Sequence, residues 1–303
     1  MATDNSEFRY LTAQAHALGA AVPPVIRQSL QLADGRTLSA LRYGDGRPRV
    51  TFLHGAGLNA HTWDRTVLAL GVPALAIDLA GHGDSSWRED AAYAPRLLAD
   101  DIAQALDAWT DGPQLVVGQS LGGLTAAALA AAHPALVSDV VLVDITPGIG
   151  GGGPSQLRAF YADATDFASR DDVVEHALSF GLGGERADAE RGVFLNTRIR
   201  PDGRVEWKHH FARLAADMLS APADTADQKA LGGWEDLAAV AAPLTLVRGV
   251  QGFVDEQAAA EFARRLPGAH VTALPAGHNV QETVPTELAG IIRDRLRANA
   301  AAF

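Results

Sequence analysis

Gly118-Gln119-Ser120-Leu121-Gly122 reads G-x-S-x-G, and its flanks decide what it could do. Leu115-Val116-Val117 before it is a strand-like apolar run, and Leu121–Ala132 after it has helical character. A sharp strand–turn–helix elbow needs small flanking residues. It also lifts the central hydroxyl to the carboxyl end of the strand, beside the positive end of the next helix. The same letters can make a plain small-residue turn; the strand and helix on either side favour the elbow. Ser120 is therefore a candidate nucleophile. A serine hydroxyl is a weak nucleophile unless a base is positioned to take its proton.

Ten histidines compete for that role. His278 lies in Pro275-Ala276-Gly277-His278-Asn279, after the last strand-like run and before the last helix, so its loop falls at the same end of a sheet as Ser120. His54, His61 and His82 precede the nucleophile. His133 stands before Pro134 at a helix end and reads as structural, and His209-His210 as a surface or pocket-lining pair. Attack on a carbonyl also requires two N–H donors aimed at the developing oxyanion. The elbow supplies the N–H of Leu121. His54-Gly55-Ala56-Gly57, following the run Val50–Leu53, supplies a loop whose Ala56 N–H is the second candidate.

These residues need a frame. Two strand-like runs, Val25–Leu32 and Thr37–Tyr43, flank Asp34-Gly35, a hairpin signal. Thereafter short apolar runs (Val50–Leu53, Ala74–Ile77, Leu115–Val117, Val140–Val143, Leu244–Val247, Val271–Leu274) alternate with helix-period segments (Leu97–Trp109, Leu121–Ala132, Glu256–Leu266, Pro285–Leu296). Apolar strands alternating with helices predict a mostly parallel α/β sheet of about eight strands covered on both faces. Between Val143 and Leu244 the rhythm stops. Residues 148–235 read as an inserted helical cap (Gln156–Ala168, Asp171–Phe180, Trp207–Leu219), leaving 1–147 and 236–303 as one α/β core. Gly148–Gly153 fits G-x-G-x-x-G, but Pro154 follows and no second strand does, so it reads as a hinge rather than a dinucleotide loop.

Composition narrows the chemistry. The 303 residues carry a net charge of −11 and no cysteine. A net-acidic chain without a basic stripe predicts no nucleic-acid partner. The lack of cysteine excludes disulfides, thiolate catalysis and zinc–thiolate sites. No HExxH, His/Asp cluster or EF-hand loop occurs, so neither metal nor other cofactor is expected. No secretory signal or long apolar run is visible, which predicts no membrane partner and a cytoplasmic default. A homodimer is compatible with the chain.

With HGAG at 54–57, Gly81-His82-Gly83-Asp84-Ser85 after the fourth strand, the elbow at Ser120 and His278 last, the chain resembles the α/β-hydrolase fold superfamily, in its serine esterase and lipase branch with an inserted cap. The resemblance spans about residues 25–147 and 240–298 and implies a Ser–His–acid triad. The family most often places its acid in the turn after the strand that follows the cap. Here that turn, Gly249-Val250-Gln251-Gly252-Phe253-Val254-Asp255, has Gly252 at the usual position. Asp255 lies three residues later and reads as a helix N-cap. Some members carry the acid after the strand that follows the nucleophile, which is Asp144 here. Asp144 is therefore the expected acid, and Asp255 the alternative. Asp78 and Asp84 read as loop-fixing carboxylates.

His54, Gly55, Trp63, Phe160, Trp207 and Phe253 are the expected pocket residues. The expected activity is hydrolysis of a small to medium apolar carboxylester or lactone through an acyl-enzyme, with a small molecule as the partner. The alternatives are C–C bond hydrolysis of a vinylogous diketone, a cofactor-independent oxygenase or perhydrolase, and a ligand-binding protein with an idle triad.

Overall fold

Valine, leucine, isoleucine and alanine fill the short runs of this chain without alternation, as strands buried on both faces require. In the computed structural model, which describes residues 6–149, 159–160, 163–182, 184–214 and 233–301, those runs form one eight-stranded sheet. Its strands are β1 (Val25–Gln31), β2 (Thr37–Tyr43), β3 (Val50–Leu53), β4 (Ala74–Asp78), β5 (Gln114–Gln119), β6 (Val137–Val143), β10 (Leu244–Gly249) and β11 (His270–Leu274). The spatial order is β1-β2-β4-β3-β5-β6-β10-β11. β2 pairs antiparallel with β1 and β4, and every other pairing is parallel. β3, β4 and β5 are buried along their whole length.

Helices cover both faces. Pro95–Trp109, Leu121–Ala132 and Glu256–Arg265 close one, around Val116, Leu142, Leu246 and Phe262. Asp64–Leu70 and Pro285–Ala301 close the other, around Phe52, Val117, Val143 and Ile292. Parallel connection aligns the carboxyl ends of β3, β4, β5, β6, β10 and β11 along one rim, where ligands of such sheets bind. Among the described residues no helix is long and apolar enough to cross a membrane.

The segment between β6 and β10 differs from its expected all-helical form. It contains the helices Arg170–Ser179 and Arg186–Asn196, and also a three-stranded antiparallel sheet in the order β7 (Asp166–Phe167), β9 (Val205–Trp207), β8 (Thr197–Ile199). Trp207, expected to open a helix, ends a strand. The missed signal is Arg200-Pro201-Asp202-Gly203, a turn sequence in which Gly203 takes φ 83° and β8 folds back on β9. The segment has its own core of Phe160, Phe167, Val173, Val193, Val205 and Trp207. Gly150–Gly153, residues 156–158 and 161–162 of the expected first cap helix, and residues 215–219 of the expected third lie outside the described residues.

Candidate active site

β5 ends at Gln119, and the next residue, Ser120, has φ 52° and ψ −119° before the helix Leu121–Ala132 begins. A non-glycine residue held there stores strain of about 1–3 kcal/mol, tolerable only where the surroundings over-determine it. They do. A Cβ on Gly118 would lie 2.2 Å from the carbonyl oxygen of Gly122, and one on Gly122 would lie 2.2 Å from that of Leu53. The Ser120 N–H donates to the Val143 carbonyl at 3.1 Å, tying the elbow to β6. Ser120 remains partly exposed.

Asp144 is the first residue past β6 and also sits at positive φ, 51°. Its N–H donates to the Val247 carbonyl at 2.8 Å. Its carboxylate is fully buried and accepts from the backbone N–H groups of Gly249 (3.0 Å), Phe253 (2.6 Å) and Val254 (3.4 Å). His278 completes the set, with Nδ1 2.8 Å from Asp144 Oδ2. That geometry makes Nδ1–H the donor and leaves Nε2 with a lone pair. Phe253 stacks on the imidazole, ring centroids 3.6 Å apart and planes 14° apart.

The glycine at 252 now has a physical meaning. A Cβ there would lie 2.3 Å from both Asp144 oxygens. The carboxylate reaching over from β6 occupies the space a side chain at 252 would use. Asp255, the alternative acid, accepts from the Ala258 N–H at 2.8 Å and caps the helix Glu256–Arg265. It makes no hydrogen bond to His278.

No hydrogen bond joins Ser120 Oγ to His278 Nε2; such contacts are often long or misaligned before substrate binds. Among the described residues the N–H groups of Ala56 and Leu121 have no protein acceptor, which leaves both able to bind an oxyanion. Gly55 packs between Gln119 and Ser120. No cluster of three or more His, Cys, Asp or Glu side chains among the described residues could hold a metal ion.

Four expected pocket residues have other surroundings. Trp63 is fully buried in the core, tilted on Phe52 at 4.8 Å, beneath the sheet rather than on a cavity wall. His54 is also fully buried: Nε2 accepts from the Leu79 N–H at 2.9 Å, so Nδ1–H donates to the Gly55 carbonyl at 2.8 Å. Burial pushes its pKa down, and it serves as a neutral brace behind the HGAG loop. Phe160 and Trp207 pack edge-to-face at 5.5 Å within the core of the inserted segment. Gly55 and Phe253 do adjoin the site. Asp78 holds loops, as expected, accepting from Ala60 N–H (2.7 Å), Asp84 N–H (3.1 Å) and Arg27 (2.7 Å). Gln119 occupies a position of the motif that is free to vary, so no local pattern marks it, yet its side chain is wholly buried among these loops.

The chain matches the model of the Alpha/beta hydrolase family over residues 52–291. It is 38% identical to "Esterase Rv0045c" of Mycobacterium tuberculosis, with 96% of each chain covered. It is 32% identical to "Lipase LipV" of the same organism, over 86% of this chain and 97% of that one. A solved structure of the M. tuberculosis esterase Rv0045c superposes with a TM-score of 0.79 at 37% identity, covering 97% of this chain and all of that one. A core sheet of the same kind, an elbow serine and a histidine–carboxylate pair at its rim agree with those likenesses: the chain belongs to the alpha/beta hydrolase family, in its esterase branch.

Proposed function

We propose that the protein hydrolyses a carboxylester or lactone of small to medium apolar character through an acyl-enzyme formed on Ser120. The observation that carries this reading is the buried Asp144 bonded to His278 Nδ1 at the rim that also bears Ser120. Ser120 Oγ attacks the carbonyl carbon while His278 Nε2 takes its proton. Asp144 holds the imidazole in the tautomer with its lone pair on Nε2 and stabilises the imidazolium that forms. The N–H groups of Ala56 and Leu121 donate to the oxyanion. His278 then returns the proton to the leaving alkoxide, and water activated by the same nitrogen releases the acid. The esterase and lipase named among the relatives support the ester as the bond cleaved.

The test is Ser120→Ala. It is expected to abolish p-nitrophenyl butyrate hydrolysis and fluorophosphonate labelling, with the melting temperature kept near that of the wild type. Turnover at the wild-type rate in that variant overturns the reading.

A further inference from the structure

Gln119 takes no part in the reaction just described, yet its side chain lies between the loops that do. It is fully buried, directly before Ser120. Its Nε2 donates to the main-chain carbonyl of His278 at 3.3 Å. Among the described residues no other hydrogen bond reaches that carbonyl. A carbonyl accepts only from the NH2 side of the amide, so Oε1 faces the opposite way, toward the HGAG loop. There a Cβ on Gly55 would lie 2.1 Å from Oε1 and 3.1 Å from Cδ. Among the described residues Oε1 itself has no hydrogen-bond partner. A buried acceptor without a donor is unfavourable, and its retention calls for an explanation.

We propose that Gln119 is a positioning residue: its amide is a wedge that sets the loop bearing His278 and the loop bearing Ala56 on either side of Ser120. The inference rests on the hydrolytic reading above. His278 is then held at two points. Asp144 grips Nδ1 of the ring, and Gln119 grips the carbonyl of the same residue. Together they fix where Nε2 points. On the other side, glycine at 55 lets the HGAG loop close onto the amide, and that contact sets the height of the Ala56 N–H above Ser120. The side chain touches no reacting atom; it acts through the two loops.

Steady-state kinetics on p-nitrophenyl butyrate, with thermal melting as the fold control, test this in Gln119→Met, Gln119→Ala, Gly55→Ala and the double variant Gly55→Ala/Gln119→Ala. Gln119→Met keeps the volume and loses the donor. It is expected to lower kcat by about 10- to 100-fold, the range for displacing a catalytic group by a fraction of an ångström to about 1 Å, with KM within about twofold. Gly55→Ala alone collides with Oε1 and lowers kcat similarly. In the Gln119→Ala background the same methyl costs much less, because the amide it met is gone; such coupling is the mark of residues in contact. Wild-type kcat in Gln119→Met, a loss confined to KM, or an equal Gly55→Ala penalty in both backgrounds overturns the proposal. If Gln119→Met does not fold, the Gly55 comparison decides. Ser120→Ala separates the two readings: a dead Ser120→Ala beside a fully active Gln119→Met rejects the positioning role alone, whereas an active Ser120→Ala rejects the hydrolytic site itself.

Discussion

A methyl group at position 252 would have nowhere to go. It would sit 2.3 Å from both oxygens of Asp144, a carboxylate already held by three backbone N–H groups and by His278. Gly252→Ala is therefore expected to push the carboxylate off Nδ1 and lower kcat/KM by about 100-fold, the scale of a misplaced catalytic group. Asp144→Asn, which puts an amide where the imidazole N–H needs an acceptor, is expected to lose on the order of 10³–10⁴-fold. Asp255→Ala removes a cap and should leave kcat unchanged while lowering stability by about 1 kcal/mol. Steady-state rates and melting curves for the three variants check all this. A rate loss in Asp255→Ala matched to that of Asp144→Asn would reverse the assignment of the acid. At this scale the sequence was half legible. The elbow and HGAG are local patterns, and His278 stands out by its place in the chain. The acid is legible only as a preference for Asp144 over Asp255, because both follow strands; in the structure the Asp144 carboxylate meets His278 and Asp255 caps a helix.

Among the elements, the helix Arg186–Asn196 belongs to the inserted segment but is fastened to the core. Arg191 is buried; it donates to the His61 carbonyl at 2.7 Å and lies 3.4 Å from Asp64 Oδ2. Asn59 Nδ2 donates to the Leu195 carbonyl at 3.1 Å and to Asn196 Oδ1 at 2.7 Å. A second attachment lies at 208–210, where the Trp87 Nε1–H donates to the Lys208 carbonyl at 2.9 Å and the His210 N–H to the Gly81 carbonyl at 2.7 Å. Removing one partner of a buried ion pair leaves the other charge stranded. Arg191→Leu is expected to destabilise by about 3 kcal/mol, the low end for that mechanism, since Asp64 keeps His61 and Tyr43. Chemical denaturation measures it, and a change below about 1 kcal/mol refutes the anchoring role. Nothing periodic in Arg186–Asn196 marks Arg191 as an anchor, because its partners come from residues 61 and 64, far back in the chain.

For the whole molecule, a polar cluster joins the N-terminal segment to the core. His61 lies 3.0 Å from Asp64 Oδ2 and 3.1 Å from Glu7 Oε2, and Arg27 donates to Glu7 at 2.6 Å. Burial pulls the His61 pKa down, but the charge of Asp64 and the hydrogen bonds to Asp64 and Glu7 outweigh it and raise it from 6.5 to about 9. Burial likewise pushes Glu7 up, and its bonds to His61 and Arg27 overcome this and bring it from 4.5 to about 2. A raised histidine stabilises fully below its unfolded pKa, and the contribution is lost as pH rises through the folded one; a depressed carboxylate stabilises fully above its unfolded pKa, and the contribution is lost as pH falls through the folded one. Both are at full strength between pH 4.5 and 6.5. The melting temperature is therefore expected to fall as pH rises from 6.5 to about 9, with a gentler slope in His61→Gln. Equal slopes in the two proteins refute it.

The α/β core, the elbow at Ser120 and the hairpin at Asp34-Gly35 are legible in the chain's own letters, because strand burial, helix period and tight turns are written in residues a few positions apart. The contacts among these residues come from the folded chain. Asp144 meets the space left at Gly252, 108 positions away in the chain, and His278 beyond it. Trp63 belongs to the core because Phe52 and Val67 close around it. Gln119 lies between Gly55 and His278 because β3, β5 and β11 all end at one rim, although β6 and β10 stand between β5 and β11. Each of these depends on which distant segments the sheet brings to one rim, and no local pattern carries that information.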